Sequence, residues 1–186
     1  MGLSLTPLLF SLACFLGYLY KVMKAVLIIV FIFLSFLGKS NVQFKNPKDS
    51  IKADSLIAFS KRYLGTHYQH GSCSANSGFD CSGFVYFVFN HFKIKVPRSS
   101  IDYLNYGEVI DISLCRTGDI IVFTGTNAEN RKPGHIGIIV SKLGKELQFI
   151  HSSSNVKHGG VKLSTFKESP FYKVRFLKIV RVVKVY

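Results

Sequence analysis

The sequence predicts an α+β domain in which helices come first and an antiparallel sheet follows. Between residues 51 and 92, apolar residues recur every three or four positions, as in amphipathic helices. After residue 119 the pattern changes to alternation or short apolar runs, separated by turn-rich segments such as GTNAENRKPG and KLGKE. Short links favour antiparallel strand pairing, so we expect N-terminal helices packed on one face of an antiparallel sheet.

The first 40 residues form a hydrophobic leader, which we set apart from the fold. Read from Met23, the leader resembles a secretory signal peptide, because one lysine is followed by a long apolar core and then by small and polar residues. Read from Met1, the leader has no basic segment at its start. The alternative is a membrane anchor within residues 3–37, although the run 25–37 is shorter than a span of about 20 residues. Both interpretations predict export to the periplasm or cell envelope.

A polar linker and two helices follow the leader. Residues 41–50 contain a proline and form the linker, so the domain itself is expected over residues 51–186. The first helix covers residues 51–64 and ends at Gly65, a residue typical of helix C-termini. The second helix lies in DCSGFVYFVFNHF, where Asp80 is a good N-cap.

A short third helix and four strands complete the predicted domain. The helix lies in VPRSSIDYLNYG, begins at a cap formed by Ser99 or Ser100, and ends at Gly107. The predicted strands are DIIVFTG (119–125), HIGIIVSK (135–142), LQFIHSS (147–153) and YKVRFLKIVRVVKVY (172–186).

The chain is basic, with a formal net charge of +14. Such a charge suits an anionic partner, for example an acidic lipid or a wall polymer, or simply a well-solvated surface. The lysines are scattered, and no basic motif with interleaved aromatic residues is present. The sequence therefore argues against nucleic acid as a partner.

Three cysteines lie beyond the leader, namely Cys73, Cys81 and Cys115. An odd number in an exported domain leaves at least one thiol unpaired, although pairing of Cys73 with Cys115 remains open. Cys81 follows the N-cap, where the helix dipole and unpaired amides favour thiolate. The alternative is that Cys81 is an ordinary buried apolar residue.

Two histidines are placed to act with this thiol. His135 opens one predicted strand and His151 closes the next, so a hairpin through KLGKE would bring both imidazoles to one edge of the sheet. Gly137 would leave room for a close approach. A cysteine nucleophile needs a base and a third group that orients the base. Both histidines could instead be ordinary polar residues at strand ends.

A metal site is the other chemistry that side chains near Cys81 could support. His67, His70 and Cys73 are closely spaced and precede Cys81. Zinc ligands usually come as pairs on separate elements, whereas this spacing crowds four ligands into one loop. We therefore expect no metal and no other cofactor.

Six segments stand in an order that is found in one known family: YLGTHYQHG, GFDCSGFV, VPRSS, TGDIIVF, GHIGIIV and FIHSSSNVKHGGV. Over residues 51–186 the chain thereby resembles the NlpC-type (NlpC/p-sixty) cell-wall peptidases, which are papain-like cysteine peptidases. The chain departs from the family at Tyr103, where glutamine is frequent, and at Thr117, where proline is frequent.

The resemblance implies a role for each matching residue. Cys81 would be the nucleophile, His135 the general base and His151 the residue that orients it. The Tyr68 hydroxyl and the Cys81 amide would stabilise the oxyanion. Asp80 and Ser82, which flank the nucleophile, would contact the amine and the carboxylate of the substrate peptide. His70, Cys73 and Arg98 would line the substrate cleft.

The function implied is that of an exported bacterial cysteine peptidase acting on peptidoglycan stem peptides, with the bond between γ-D-glutamyl and a diamino acid as the expected target. Two alternatives remain open: an amidase or acyltransferase acting on another amide or thioester, and a catalytically idle wall-binding scaffold. No separate wall-binding module is evident, so targeting would depend on the leader, the surface charge or a partner. The sequence leaves the oligomeric state open.

Overall fold

The computed structural model describes residues 50–185, together with residues 20, 22–24, 26 and 27, which are helical. The rest of the predicted leader and linker lies outside the described residues, so their boundaries stay predictions. No helix within the described part is both long and apolar enough to cross a bilayer. The chain divides into two units, residues 1–43 and 44–186, and the second contains the predicted domain.

An antiparallel sheet forms the centre of the domain, as predicted, but it has six strands rather than the four expected. The strands in chain order are β1 (Ser50–Ile51), β2 (Cys73–Ser74), β3 (Gly78–Phe79), β4 (Glu108–Ile110), β5 (Ile120–Thr124), β6 (Pro133–Ile139), β7 (Gln148–Ser153), β8 (Gly160–Thr165), β9 (Phe176–Arg181) and β10 (Lys184–Val185). The order across the sheet is β4-β9-β5-β6-β7-β8. Outside it, β1 pairs with β10 in parallel, and β2 pairs with β3 in antiparallel orientation.

The first predicted helix is shorter than expected. The α-helices after residue 50 are α1 (Ala53–Lys61), α2 (Cys81–His91) and α3 (Pro170–Arg175). Gly65 does not cap α1, because turns follow Lys61 and the Gly65 amide donates to the carbonyl of Val161 at 2.9 Å. The helix predicted in VPRSSIDYLNYG is a 3-10 helix over Ser100–Leu104, and a second 3-10 helix covers Ile112–Leu114.

The predicted strand 172–186 was wrong at its beginning. Residues 172–175 belong to α3, which starts at Pro170, where the fixed φ of proline suits the first helical turn. Tyr172 and Arg175 are three positions apart and both are buried, which is the spacing of one helix face. Two strands of the central sheet were not predicted, the three-residue β4 and the six-residue β8.

Both faces of the sheet are buried. Every residue of β5 is buried, which explains its continuous apolar run. On one face, Ile120 and Val122 share a core with the apolar residues of α2, as expected. On the other face, Phe123 shares a second core with Tyr172 of α3. The expectation that helices cover one face therefore describes only half of the packing.

Three hydrogen bonds hold the beginning of α2 against its neighbours. The Ser152 hydroxyl of β7 donates to the carbonyl of Phe79 at 2.7 Å, and the Asp80 amide donates to the carbonyl of Ser72 at 3.0 Å. The carboxylate of Asp80 accepts from the amide of Gly83, which confirms the predicted N-cap. The first turn of α2 is thereby attached to the sheet.

Candidate active site

Cys81 is the first residue of α2, and its side chain is only 8% exposed. Its thiol lies 3.9 Å from the carbonyl oxygen of Gly134, to which it donates. Gly134 precedes His135 in β6, so the start of α2 meets the sheet at the position where the first histidine stands. Cys73, Cys81 and Cys115 are all free thiols.

The protonation of Cys81 is set by opposing effects. Burial raises the pKa of the thiol most strongly, and the negative charge of Asp80 raises it further. The amides of Ile136, Ser82 and Cys81 itself lower that pKa, which is the effect expected at a helix start. Because burial dominates, the resting group is a thiol rather than the thiolate that a helix start alone would favour. Attack by this sulfur therefore needs a base.

The two imidazoles meet, as the predicted hairpin requires. β6 pairs with β7 so that Ile138 lies opposite Ile150. Nε2 of His135 lies 3.0 Å from Nδ1 of His151, and the rings are perpendicular. A side chain at Gly137 would meet the Cβ of His151 at 3.1 Å, so the glycine does provide the close approach that the sequence suggests.

The second nitrogen of His151 is held by two hydroxyl groups that sequence reasoning missed. Its Nε2 lies 2.9 Å from Oγ of Ser164 on β8 and 3.3 Å from the Tyr172 hydroxyl on α3. His151 is fully buried. Both nitrogens of this ring are thus engaged, which fixes its orientation.

Both histidines are neutral in this environment. Burial, assisted by the positive charge of Arg175, lowers the pKa of His135 to about 3. Burial also holds the pKa of His151 well below its usual value; protonated His135 and the positive charges of Lys162 and Arg175 would add to this effect. A neutral imidazole can accept a proton, so His135 has the state required of a base.

Asp80 and Arg98 form a bidentate ion pair beside the thiol. Nη2 of Arg98 lies 2.9 Å from Oδ2 of Asp80, and Nη1 lies 3.0 Å from Oδ1 and 3.1 Å from Oγ of Ser82. The Asp80 carboxylate also accepts from the Gly83 amide and the Ser82 hydroxyl. Its oxygens are therefore occupied within the protein, and its observed contacts orient Arg98 and Ser82.

Two cavities are lined by the predicted site residues. The Cys81 cavity has a volume of about 430 Å³ and is lined by Tyr68, His70, Gly71, Asp80, Cys81, Ser82, Arg98, Ser99, Ser100 and Gly134. The His135 cavity has a volume of about 480 Å³ and is lined by Thr126, His135, Ser153, Ser154, Asn155, Val156, Lys162, Ser169, Phe171, Tyr172 and Arg175. Cys73 lines neither cavity.

The four candidate metal ligands are not gathered into a site. Within the part of the chain that the structure describes, no three His, Cys, Asp or Glu side chains are grouped so as to hold a metal ion. Of the four candidates, His70 and Cys81 line the Cys81 cavity, whereas Cys73 lies on β2.

The two departures from the family pattern lie outside both cavities. Tyr103 is fully buried, and its hydroxyl donates to the carbonyl of Pro97 at 3.5 Å. The Thr117 hydroxyl donates to the carbonyl of Ser141 at 3.0 Å. Both residues thus have structural contacts.

A thiol at a helix start, beside an imidazole held by a third group, is the arrangement of cysteine hydrolases. Comparison with known proteins agrees with this class. The family "NlpC/P60 family" matches residues 65–181. The chain therefore belongs to the NlpC/P60 family, whose peptidases are hydrolases.

Two relatives and one solved structure illustrate the similarity. A probable endopeptidase of Haemophilus influenzae is 35% identical over 121 residues, covering 64% of this chain and 68% of the relative. The murein DD-endopeptidase MepS/murein LD-carboxypeptidase of Escherichia coli is 30% identical over 151 residues, covering 80% of this chain and 73% of the relative. The structure of an NlpC/P60 family protein from Bacillus cereus superposes with a TM-score of 0.61 at 26% identity, covering 72% of this chain and 41% of that chain.

Proposed function

We propose that this protein is a cysteine peptidase that hydrolyses amide bonds in peptidoglycan stem peptides. The observations that support this most directly are the Cys81 thiol 3.9 Å from the carbonyl oxygen of Gly134, the residue before His135, and the 3.0 Å contact between the imidazoles of His135 and His151. Membership of a family with murein-hydrolysing relatives supports the substrate class.

The tautomers of the two histidines determine the direction of proton transfer. Nε2 of His135 and Nδ1 of His151 are 3.0 Å apart, and Nε2 of His151 lies 2.9 Å from Oγ of Ser164. We assign the tautomers in which His151 donates from Nε2 to Ser164 and accepts at Nδ1 from Nε2–H of His135. In this arrangement Nδ1 of His135 carries no proton, so it can accept the thiol proton of Cys81. His151 is then the residue that orients the base and stabilises its protonated form.

The reaction proceeds through an acyl-enzyme. The Cys81 sulfur attacks the carbonyl carbon while its proton passes to His135, and the negative oxygen is stabilised by the Cys81 amide and the Tyr68 hydroxyl. Burial, with the charges of Cys81 and Asp80, raises the pKa of Tyr68, so the phenol keeps the proton that it donates. His135 then protonates the leaving amine. Water, deprotonated by His135, cleaves the thioester and restores the thiol.

The favoured target is the bond between γ-D-glutamyl and a diamino acid, which the resemblance to the family implies. The name of a Bacillus subtilis relative, gamma-DL-glutamyl hydrolase, supports this choice. The Asp80–Arg98 ion pair beside the thiol is balanced in charge, so it supports polar contacts to the substrate rather than selection of a charged group.

A second target is favoured by the name of the Escherichia coli relative, a murein DD-endopeptidase. The same thiol and imidazoles are suited to hydrolysis of the peptide bond that a DD-endopeptidase cleaves. They are equally suited to an amidase or acyltransferase that acts on another amide or thioester. The location that fits each of these reactions is the cell envelope, reached by export through the leader.

The test is incubation of the full chain and its Cys81→Ala variant with purified peptidoglycan and a panel of soluble tripeptides and tetrapeptides, analysed by mass spectrometry. We expect cleavage after the γ-D-glutamyl residue by the wild type alone. Cleavage at another amide would retain Cys81 as the nucleophile and change the specificity. If neither protein cuts and Cys81 ignores a thiol-reactive probe at pH 7, the scaffold interpretation replaces the peptidase.

A further inference from the structure

The end of β5 beside His135 is irregular in its pairing with both neighbouring strands. Phe123 of β5 pairs with His135 of β6. The next residue, Thr124, pairs with Pro133, so Gly134 has no partner on β5. The pairing of β5 with β9 shifts register at the same place. An extra residue of this kind is a β-bulge, which bends its strand and changes the direction of nearby side chains. The bulge therefore lies directly before the proposed base.

The bulge at Gly134 connects the proposed nucleophile to this base. The Gly134 carbonyl oxygen lies 3.9 Å from the Cys81 thiol, and His135 is the next residue in β6. A Cβ on Gly134 would collide with the backbone of Gly125, the residue that follows β5. The backbones of the two glycines are therefore in close contact, and a shift of Gly125 would change where Gly134 can lie.

Arg175 of α3 holds the end of β5 through two backbone carbonyls. Its Nε donates to the carbonyl of Gly125 and its Nη2 donates to the carbonyl of Thr124, each at 2.7 Å. Arg175 is only 6% exposed and Thr124 is fully buried, so water does not readily replace these donors. Pro133, opposite Thr124, has no N–H to donate. The guanidinium therefore supplies a donor that the strand pair lacks at this position.

The contact between α3 and the β5–β6 segment is reciprocal. Arg131, in the connection between β5 and β6, donates from Nη1 to the carbonyl of Val174 at 3.3 Å and from Nη2 to the carbonyl of Phe176 at 2.8 Å. One arginine from each side thus joins α3 to the end of β5. A guanidinium suits this task, because its planar set of donors orients two carbonyl groups at once.

We propose that Arg175 is a positioning residue that fixes the approach of His135 to the Cys81 thiol. Its observed hydrogen bonds go to the end of β5, so it acts through the Gly134 bulge rather than on the reacting atoms. The inference rests on the proposed function and adds to it a residue beyond the nucleophile and the two histidines. Because reacting groups must be held within about 0.5 Å of the productive geometry, loss of this support should slow the chemical step.

The alternative role of Arg175 is that of a charge. Its positive charge lowers the pKa of both imidazoles, and its side chain lines the His135 cavity. Arg175→Lys separates the two roles, because lysine keeps the charge but lacks the planar donors that hold two carbonyls in one geometry. Arg175→Gln removes the charge and those donors together.

The test is steady-state kinetics of the full-length protein on a stem peptide. We expect kcat to fall about ten- to a hundredfold for both Arg175→Lys and Arg175→Gln, with KM changed by less than about threefold. Thermal unfolding confirms that each variant is folded at the assay temperature, where a merely stabilising residue would leave kcat unchanged. Lys173→Gln, which removes an exposed charge from the same helix, should keep the wild-type kcat. Wild-type kcat in Arg175→Lys would overturn the inference, as would a change confined to KM.

A second variant decides the matter if the Arg175 variants do not fold. Arg131→Gln removes the exposed arginine of the reciprocal contact and leaves both carbonyls at the end of β5 bonded. Its kcat should fall about two- to fivefold, whereas Lys132→Gln, at the neighbouring exposed position, should have no effect. Equal kcat values for these two variants would count against the positioning role.

A crystal structure tests the inference if the wild type cleaves no peptide, a result that would count against the proposed function instead. In Arg175→Lys, the Gly134 carbonyl oxygen should lie more than about 0.5 Å from its wild-type position relative to Cys81. A Gly134 carbonyl that has not moved would refute the role of Arg175, whatever the substrate.

Discussion

At the scale of single residues, the site depends on how each histidine nitrogen is used. His151 has no charged partner, and its Nε2 is satisfied only by Ser164 and Tyr172 among the described residues. With the tautomers assigned in the proposed mechanism, the Ser164 hydroxyl accepts from Nε2–H of His151 and leaves Nδ1 as the acceptor for His135. In that mechanism Ser164 is a positioning residue that acts through His151.

Removing the Ser164 hydroxyl should weaken this orientation. For Ser164→Ala we expect kcat/KM to fall about three- to tenfold, mainly in kcat, because one neutral hydrogen bond is lost and Tyr172 remains at 3.3 Å. Steady-state kinetics on a stem peptide checks this. Ser164→Thr, which keeps a hydroxyl, should recover most of the activity. An alanine variant with wild-type kcat would show that Tyr172 alone is sufficient.

At the scale of elements, the motif around the nucleophile is shaped by a close backbone contact. A Cβ on Gly83 would collide with the carbonyl oxygen of Ser72. The glycine in DCSG therefore allows the loop that precedes β2 to contact the first turn of α2. That contact, with the Asp80 amide bonded to the same carbonyl, sets the position of Cys81.

Adding a methyl group at this contact should displace the helix start. For Gly83→Ala we expect the free energy of unfolding to fall by about 2 kcal/mol or more, because the backbone at Ser72 and the first turn of α2 must move apart. Gly125→Ala is the matched control, because a Cβ at Gly125 meets nothing within 4 Å. Thermal and denaturant unfolding measure both variants. Equal stabilities for the two would contradict the close contact.

At the scale of the whole molecule, two neutral imidazoles are buried where the sheet meets α3. A histidine with a folded-state pKa below its unfolded value cannot take up a proton in the folded state, whereas the unfolded chain can. The stability that these two neutral histidines contribute is therefore present above about pH 6.5. It is lost as the pH falls below the pKa of histidine in the unfolded chain.

This loss predicts a measurable acid sensitivity. Between about pH 6 and pH 4, His135 should lower the free energy of unfolding by about 1.4 kcal/mol per pH unit, and the lowered pKa of His151 adds to this loss. Denaturant unfolding across this range measures the slope. His135→Gln should make it shallower, whereas His158→Gln, at an exposed position, should leave it unchanged. Identical slopes for wild type and His135→Gln would show that His135 is protonated in the folded state.

The sequence alone determined the features that depend on local periodicity and short links. These include the helix that begins with Cys81, its Asp80 cap, and the hairpin that joins His135 to His151, because each is set by residues close together in the chain. The resemblance to the NlpC-type peptidases, carried by six short segments, was confirmed by the family match.

Only the tertiary structure determined which groups support and surround these residues. Arg98 lies 18 positions from Asp80, and Tyr172 lies 21 positions from His151, so no local pattern indicates either pair. Lys162 and Ser164 lie on β8, a strand that the sequence did not predict. Arg175 lies on α3, in a segment that the sequence predicted to be a strand. The physical reason is that burial and hydrogen-bond geometry arise from the packing of distant segments, whereas periodicity reports only on neighbours along the chain.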